Sequence, residues 1–170
     1  VARAVRCVRD ADLTPWGCTG PVFHDPAQVG ALARALVDNH VTRLVLETNV
    51  AGESAIRAVG AAREVTDLET IVVSVVPTDA GTHTRDGIPL TLWARRAMDA
   101  GATGVGVNCV APAIATTAVA HLAHAGPVWA KPAGCTDWAD AVRPLAAVCT
   151  WLGGCCGVQA PQLEALWHER

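Results

Sequence analysis

The sequence predicts an α/β fold built from repeated strand–helix units around a parallel sheet. Short apolar runs rich in β-branched residues alternate with amphipathic segments along all 170 residues. This alternation is typical of parallel α/β proteins. No linker or low-complexity tract interrupts it, so we expect one domain over residues 1–170. A chain of this length can bury a hydrophobic core.

Six strands are expected, each a short apolar run bounded by turn residues. The clearest covers residues 70–76, where nearly all residues are β-branched, as strands covered on both faces require. The expected strands are 13–18, 41–47, 70–76, 104–109, 127–131 and 149–155.

About six helices are expected between and after these strands. The first begins at Asp25-Pro26, an N-cap residue followed by proline at the first helical position. Another ends at Gly101, a C-cap glycine. A polar loop, 77–89, follows the third strand. The helices after the first cover about 53–65, 90–100, 112–125, 136–148 and a last segment from 161.

Repeated strand–helix units form either an open doubly wound sheet or a (β/α)8 barrel. A doubly wound dinucleotide site needs a Gly-x-Gly-x-x-Gly turn before an early helix, and this chain has none. Barrels collect functional side chains at the carboxyl ends of strands. Six candidate residues fall there: Glu47, Asn108, Cys109, Lys131, Cys155 and Cys156. We therefore favour the barrel, although six strands are two short of closure.

Charge and hydropathy exclude several classes of function. The 13 Lys and Arg residues are scattered and the net charge is −3, so we expect no nucleic-acid partner. Gly, Pro, Asn and His interrupt the longest nearly uncharged stretch, so we expect no membrane span. The N-terminus lacks the apolar segment of a secretory signal. Seven cysteines, an odd number, disfavour a disulfide scaffold. We predict a cytoplasmic protein with reduced thiols.

The most informative feature is the run Gly-Gly-Cys-Cys-Gly at 153–157, taken together with Cys109. Each cysteine group ends a strand-like run, so in a parallel α/β fold all three thiols emerge at the same end of the sheet. Three thiolates at one point form a zinc site, and three protein ligands with one open position are typical of catalytic zinc. The alternative is that these cysteines serve as small buried hydrophobic residues.

Adjacent side chains on a regular strand point to opposite faces, so Cys155 and Cys156 can share one ion only where the backbone bends. Gly153, Gly154 and Gly157 allow a bulge or a tight turn. We assign the remaining cysteines to packing or the surface, and His24 to a loop. These cysteines are Cys7, Cys18, Cys135 and Cys149, of which Cys18 and Cys135 also lie at strand ends and are alternative ligands.

Three motifs together resemble the zinc-dependent homocysteine S-methyltransferase family, which includes betaine-, S-methylmethionine- and cobalamin-dependent members. They are Glu47-Thr48 at a strand end, the Gly-Val-Asn-Cys run at 106–109, and the run 153–157 followed by Pro161. The similarity in order and spacing covers nearly the whole chain. It implies a (β/α)8 barrel, Zn²⁺ bound by the three cysteines named above, homocysteine and a small methyl donor as substrates, and methionine as product.

The resemblance also implies that Glu47 binds the amino group of homocysteine. The alternative is an ion pair with a nearby arginine or a helix cap. Asn108 is expected to orient the substrate or to tie the metal loop. The alternative role for Asn108 is to form a turn.

The chemistry of zinc suits these three cysteine ligands. Zinc holds a thiol as thiolate at neutral pH, and three cysteine thiolates leave electron density on the substrate sulfur for in-line methyl transfer.

The chain departs from the family in two places. Many relatives have Pro-Asn-Gly after the seventh strand, whereas residues 131–134 read Lys-Pro-Ala-Gly, which leaves the methyl donor open. Residues 13–20 resemble the family's third strand, so the first two strand–helix units are missing. An open barrel exposes two sheet edges, so we expect either an incomplete sequence or a second chain that completes the barrel.

Two competing hypotheses follow from these observations. One is a truncated, non-catalytic homologue that keeps metal or partner binding. The other treats the cysteines as redox or structural thiols.

Overall fold

The computed structural model describes residues 14–20, 25–65 and 67–168. Cys7 and His24 lie outside these ranges, as does the first residue of the first expected strand. The described strands are β1 Gly17–Thr19, β2 Arg43–Asn49, β3 Thr70–Val75, β4 Gly104–Asn108, β5 Val128–Lys131 and β6 Trp151–Leu152. The described helices are α1 Pro26–Val37, α2 Gly52–Arg63, α3 Leu90–Asp99, α4 Pro112–Leu122, α5 Trp138–Val142, the 3-10 helix Arg143–Ala147 and α6 Ala160–His168.

The six described strands form one parallel sheet in the order β1-β2-β3-β4-β5-β6. Each strand pairs with the next strand in sequence. A doubly wound sheet reverses its strand order at a switch point, and this sheet does not. The structure therefore confirms the α/β fold and the sequential order of a (β/α)8 barrel. β1 and β6 are the edges of the sheet among the described residues.

Three tryptophans show how strongly the sheet curls. Trp16 precedes β1, at one edge, and Trp151 begins β6, at the other, yet their ring centroids lie 6.1 Å apart. Trp129 of β5 lies 5.6 Å from Trp16 and 5.7 Å from Trp151. Arg43 of β2 stacks over the Trp16 ring at 5.5 Å. Because the two edges share one aromatic cluster, the sheet is a partial barrel rather than an open plane.

Two glycines of β4 allow the close approach of Trp129 and Trp151. A Cβ atom on Gly104 would lie 3.3 Å from the Trp151 ring. A Cβ atom on Gly106 would overlap the backbone carbonyl oxygen and the Cβ of Trp129. The run 104–107 therefore alternates glycine on the side of the tryptophans with valine on the other. Val105 and Val107 are fully buried and belong to the hydrophobic core.

The loop that joins β3 to α3 is fastened to the start of α2. The N-cap residue of α2, Ala51, offers no side-chain cap. Instead Asp86 accepts hydrogen bonds from the backbone N–H groups of Gly52 at 2.7 Å and Glu53 at 3.1 Å. Burial would raise the pKa of Asp86, but hydrogen bonds from Thr84 and from these two N–H groups lower it below its ordinary value. This cap fixes the backbone shortly after the carboxyl end of β2.

Three predicted elements are shorter in the structure. Of the strand expected at 13–18, the described residues form only Gly17–Thr19. The helix expected at 136–148 is the five-residue α5 followed by a 3-10 helix, with Pro144 near the start of the second segment. Proline disfavours the α conformation of the residue before it and lacks an N–H. The strand expected at 149–155 is only Trp151–Leu152, because the glycines that follow leave the sheet for a turn. No described helix has the length and apolar character needed to cross a bilayer.

We expect Gly106→Ala to lower the free energy of unfolding by about 1–3 kcal/mol, because the added methyl group overlaps Trp129 and forces the strands apart. Gly60→Ala is the matched control. Gly60 lies inside α2 with open space around it, so the same methyl group should leave stability equal or raise it by up to about 1 kcal/mol. Urea unfolding measures both changes. Equal stability of the two variants would contradict the packing role of Gly106.

Candidate metal centre and active site

The three cysteines singled out in the sequence lie together at the carboxyl ends of β4 and β6. The Sγ atom of Cys109 is 2.7 Å from that of Cys155 and 3.7 Å from that of Cys156. The Sγ atoms of Cys155 and Cys156 are 4.0 Å apart. Among the residues that the structure describes, this is the one cluster of three or more His, Cys, Asp or Glu side chains with metal-binding spacing.

The adjacent cysteines face one point because they lie in a turn after β6. The N–H of Val158 donates to the carbonyl of Cys155 at 3.2 Å, which closes a four-residue turn. Gly157, the third residue of this turn, has φ +79°. A type II turn requires such a positive φ at that position, and glycine adopts it without strain. The bend expected from the surrounding glycines is present, with Gly157 supplying the left-handed conformation.

The segment after β5 joins the first cysteine to the sheet. The N–H of Cys109 donates to the carbonyl of Lys131 at 3.2 Å. Two residues further along, the N–H of Ala133 donates to the carbonyl of Val110 at 2.8 Å. The backbone on both sides of Cys109 is thus tied to residues 131–133.

The same segment also holds the cysteine turn on its other side. The N–H of Cys155 donates to the carbonyl of Pro132 at 2.9 Å, and the N–H of Gly134 donates to the carbonyl of Cys156 at 2.8 Å. A Cβ atom on Gly134 would lie 2.5 Å from the backbone of Gly157, so this approach requires glycine. The Lys-Pro-Ala-Gly run therefore acts as a spacer that fixes the distance between the two cysteine groups.

A buried asparagine links the site across three strands. Asn108 is fully buried at the end of β4. Its Oδ1 accepts hydrogen bonds from the backbone N–H of Thr48 at 3.1 Å and the hydroxyl of Ser74 at 2.8 Å. Its Nδ2 donates to Thr48 Oγ1 at 2.7 Å and to Cys109 Sγ at 3.4 Å. These contacts support a role in tying the metal loop, and a direct contact between Asn108 and substrate stays a prediction.

The two residues that Asn108 holds have left-handed backbones. Thr48 has φ +59° and Cys109 has φ +57°. This conformation costs a non-glycine residue about 1–2 kcal/mol. The hydrogen bonds of Asn108 and Lys131 to these residues offset that cost. The irregularity near the end of β2, where the register with β3 shifts between Leu46 and Asn49, and the turn after β4 thus depend on contacts with neighbouring strands.

Glu47 lies at the carboxyl end of β2 in an ion pair. Its Oε1 is 2.7 Å from the Nζ of Lys131, and the two side chains are 14% and 24% exposed. Burial alone would lower the pKa of Lys131, but the hydrogen bond and charge of Glu47 outweigh it and raise that pKa. The alternative expected for Glu47, an ion pair, is therefore present, with lysine rather than arginine as the partner.

The thiols of the cluster differ in acidity. Burial and the neighbouring thiols raise the pKa of Cys109 to about 12. Burial would also raise the pKa of Cys155, but hydrogen bonds from Cys109 and Cys156 outweigh it and lower that pKa.

The geometry fits a tetrahedral metal. Zinc–sulfur bonds of about 2.3 Å place neighbouring sulfurs about 3.8 Å apart. Two of the three Sγ separations, 3.7 and 4.0 Å, are close to this value. The third pair, Cys109 and Cys155, would open by about 1 Å on metal binding. A set of thiolates favours zinc among the common divalent ions.

The other described cysteines do not join the cluster. Cys149 packs against the hydrophobic core, and burial raises its pKa to about 11. Cys135 is exposed. Cys18, at β1, faces Glu47, and burial followed by the charge of Glu47 raises its pKa to about 11.

Three further residues contribute to the site. Ser74 is a polar residue inside the apolar run of β3, which is a sequence signal of a buried hydrogen bond. Thr48 belongs to the Glu-Thr motif, which does not indicate its contacts with Asn108. Lys131 lies at a strand end, and nothing local in the sequence connects it with Glu47.

The structure is thus a parallel strand–helix protein with three thiols, in metal-binding spacing, at the carboxyl end of its sheet. Comparison with known families gives the assignment within this class. The sequence profile of the family described as homocysteine S-methyltransferase matches residues 23–169. The chain belongs to this family, which confirms the expectation drawn from its motifs. No protein of curated function matches the chain in sequence.

Solved structures show the same fold. The apo form of the homocysteine methyltransferase MmuM from Escherichia coli has TM-score 0.78 and 24% identity, covering 99% of this chain and 69% of that one. The metallated form gives 0.77 and 22%, with 99% and 67% covered. The oxidized form gives 0.74 and 23%, again with 99% and 67%. The chain thus spans about two thirds of MmuM.

We expect Asn108→Leu to lower the free energy of unfolding by about 2–4 kcal/mol, because it leaves the Thr48 N–H and the Ser74 hydroxyl without their acceptor. Asn39→Leu is the control, because Asn39 makes one side-chain hydrogen bond, to the carbonyl of Ala35. The control should lose about 1 kcal/mol or less. Chemical denaturation measures both. Similar losses would show that Asn108 does not hold the strand ends together.

Proposed function

We propose that this protein transfers a methyl group to the thiol of homocysteine, forming methionine, with Zn²⁺ held by Cys109, Cys155 and Cys156. The observation that carries the proposal is the convergence of these three Sγ atoms within 4.8 Å of one another at the carboxyl end of the sheet. Family membership supplies the reaction class.

The donor set supports zinc as the metal. The cluster contains three thiols and no histidine or carboxylate, and three cysteines with one open position suit a catalytic site. The MmuM protein of E. coli, which has the same fold, is known in a metallated form. When bound, zinc would keep the substrate thiol ionised at neutral pH.

The residues of this chain would position the substrate. Glu47 would bind the amino group of homocysteine, and Asn108 would hold the turns that present Glu47-Thr48 and Cys109. In the reaction the substrate thiol loses its proton, its sulfur bonds to the methyl carbon, and the donor leaves with the electron pair of the broken bond. We place this reaction in the cytoplasm, where thiols stay reduced.

A second chain that completes the barrel is part of the proposal. β1 and β6 are sheet edges among the described residues. A groove of about 350 Å³ runs beside β6, lined in part by Trp129, Leu152 and Trp167. Exposed edges and apolar grooves are commonly covered by another polypeptide segment. The same open edges favour the second candidate function, a homologue that binds metal without catalysis.

We expect the purified chain to bind about one zinc ion and Cys155→Ser to bind far less, since a hydroxyl is a poor zinc ligand. Cys135→Ser is the control, because Cys135 is exposed and outside the cluster. Elemental analysis after dialysis gives the zinc content per chain. Unchanged zinc content in Cys155→Ser would refute the metal centre.

We expect the zinc-loaded chain to form methionine from homocysteine with at least one of S-methylmethionine, betaine or methylcobalamin. Cys155→Ser should reduce this rate by at least about a hundredfold, because thiol ionisation is lost, and Cys135→Ser should retain it. Mass spectrometry of the product measures the rates. Stoichiometric zinc and cooperative unfolding without any methionine would instead support the non-catalytic homologue.

A further inference from the structure

The ion pair between Glu47 and Lys131 has no role in the function proposed so far beyond the expected role of Glu47. Both side chains are partly buried, and their charged atoms are 2.7 Å apart. Cys18 also faces the carboxylate of Glu47. An amino group that approaches Glu47 therefore meets a carboxylate that already binds one ammonium group.

Lys131 also lies next to the metal centre. In the sheet its partner on β4 is Asn108, the residue before Cys109. Its backbone carbonyl accepts a hydrogen bond from the N–H of Cys109, and the carbonyl of the next residue, Pro132, accepts one from the N–H of Cys155. The ion pair thus joins the carboxyl ends of β2 and β5, and β5 lies between β4 and β6, whose ends carry the thiols.

Charge balance decides which substrate suits this pair. The pair is neutral, and it is sheltered enough that an added net charge would be costly. A thiol with only an amino group adds one positive charge, and a thiol with only a carboxylate adds one negative charge. An α-amino acid adds no net charge, because its ammonium and carboxylate groups form an alternating ring with Glu47 and Lys131.

We propose that Lys131 binds the α-carboxylate of the thiol substrate while Glu47 binds its α-ammonium group, so that the pair selects thiols that are α-amino acids. This assignment rests on the proposed function and deepens it. Lysine suits this role, because its ammonium group is a compact charge on a flexible side chain. The ammonium group can bind the carboxylate of the substrate and still stay near Glu47. A purely structural Lys131 would keep Glu47 in place without discriminating between substrates.

Calorimetric titration of the zinc-loaded chain tests the assignment with three thiols of matched length. They are homocysteine, 3-aminopropane-1-thiol, which lacks the carboxylate, and 4-mercaptobutanoate, which lacks the amino group. Lys131→Met should weaken homocysteine binding by about tenfold or more and leave 3-aminopropane-1-thiol equal or tighter. Glu47→Gln should weaken homocysteine and leave 4-mercaptobutanoate equal or tighter. Lys131→Arg should keep most of the homocysteine affinity.

Zinc content and thermal unfolding are recorded for every variant, and Lys131→Gln replaces Lys131→Met where the latter does not fold. Equal weakening of homocysteine and 3-aminopropane-1-thiol by the neutral Lys131 variant would overturn the assignment, as would unchanged homocysteine binding. A zinc-loaded wild-type chain that binds none of the three thiols would overturn the proposed function itself. These results are distinguishable, because the first two require a wild-type chain that binds homocysteine.

Discussion

The site depends on the buried amide of Asn108. A polar group at zero exposure is tolerated only where its hydrogen bonds are made, and here the amide contacts Thr48, Ser74 and Cys109. Two of these residues have left-handed backbones that cost free energy. The Asn108 side chain therefore connects the ends of β2, β3 and β4, so that the positions of these three strand ends depend on one another.

The interior of the partial barrel is divided into two layers. Below, Trp16, Trp129 and Trp151 fill the space between the curled edges, with Gly104 and Gly106 allowing the close approach of Trp129 and Trp151. Above them, at the carboxyl ends of the strands, lie charged groups and thiols. The three rings are half-buried, and Trp129 and Trp151 also line the groove beside β6.

Family membership and geometry support different parts of the proposed function. The family name points to a thiol as methyl acceptor, and the cysteine cluster is the place where a metal could hold that thiol. The chain contains the cysteine cluster and the spacer that supports it, residues 131–134, although it spans about two thirds of MmuM. The backbone of the spacer holds both cysteine groups, and its lysine side chain is the partner of Glu47.

The sequence by itself determined the fold class, the order of the strands and the convergence of Cys109, Cys155 and Cys156, because periodicity marks the strands and parallel strands end at one edge. The sequence pattern predicts too long a last strand and too long a helix at 136–148, because glycine and proline end these elements early. Only the tertiary structure decided that Lys131 meets Glu47, 84 residues away, and that Ser74 meets Asn108. Such contacts depend on the curl of the sheet and on strand register, which no local pattern encodes.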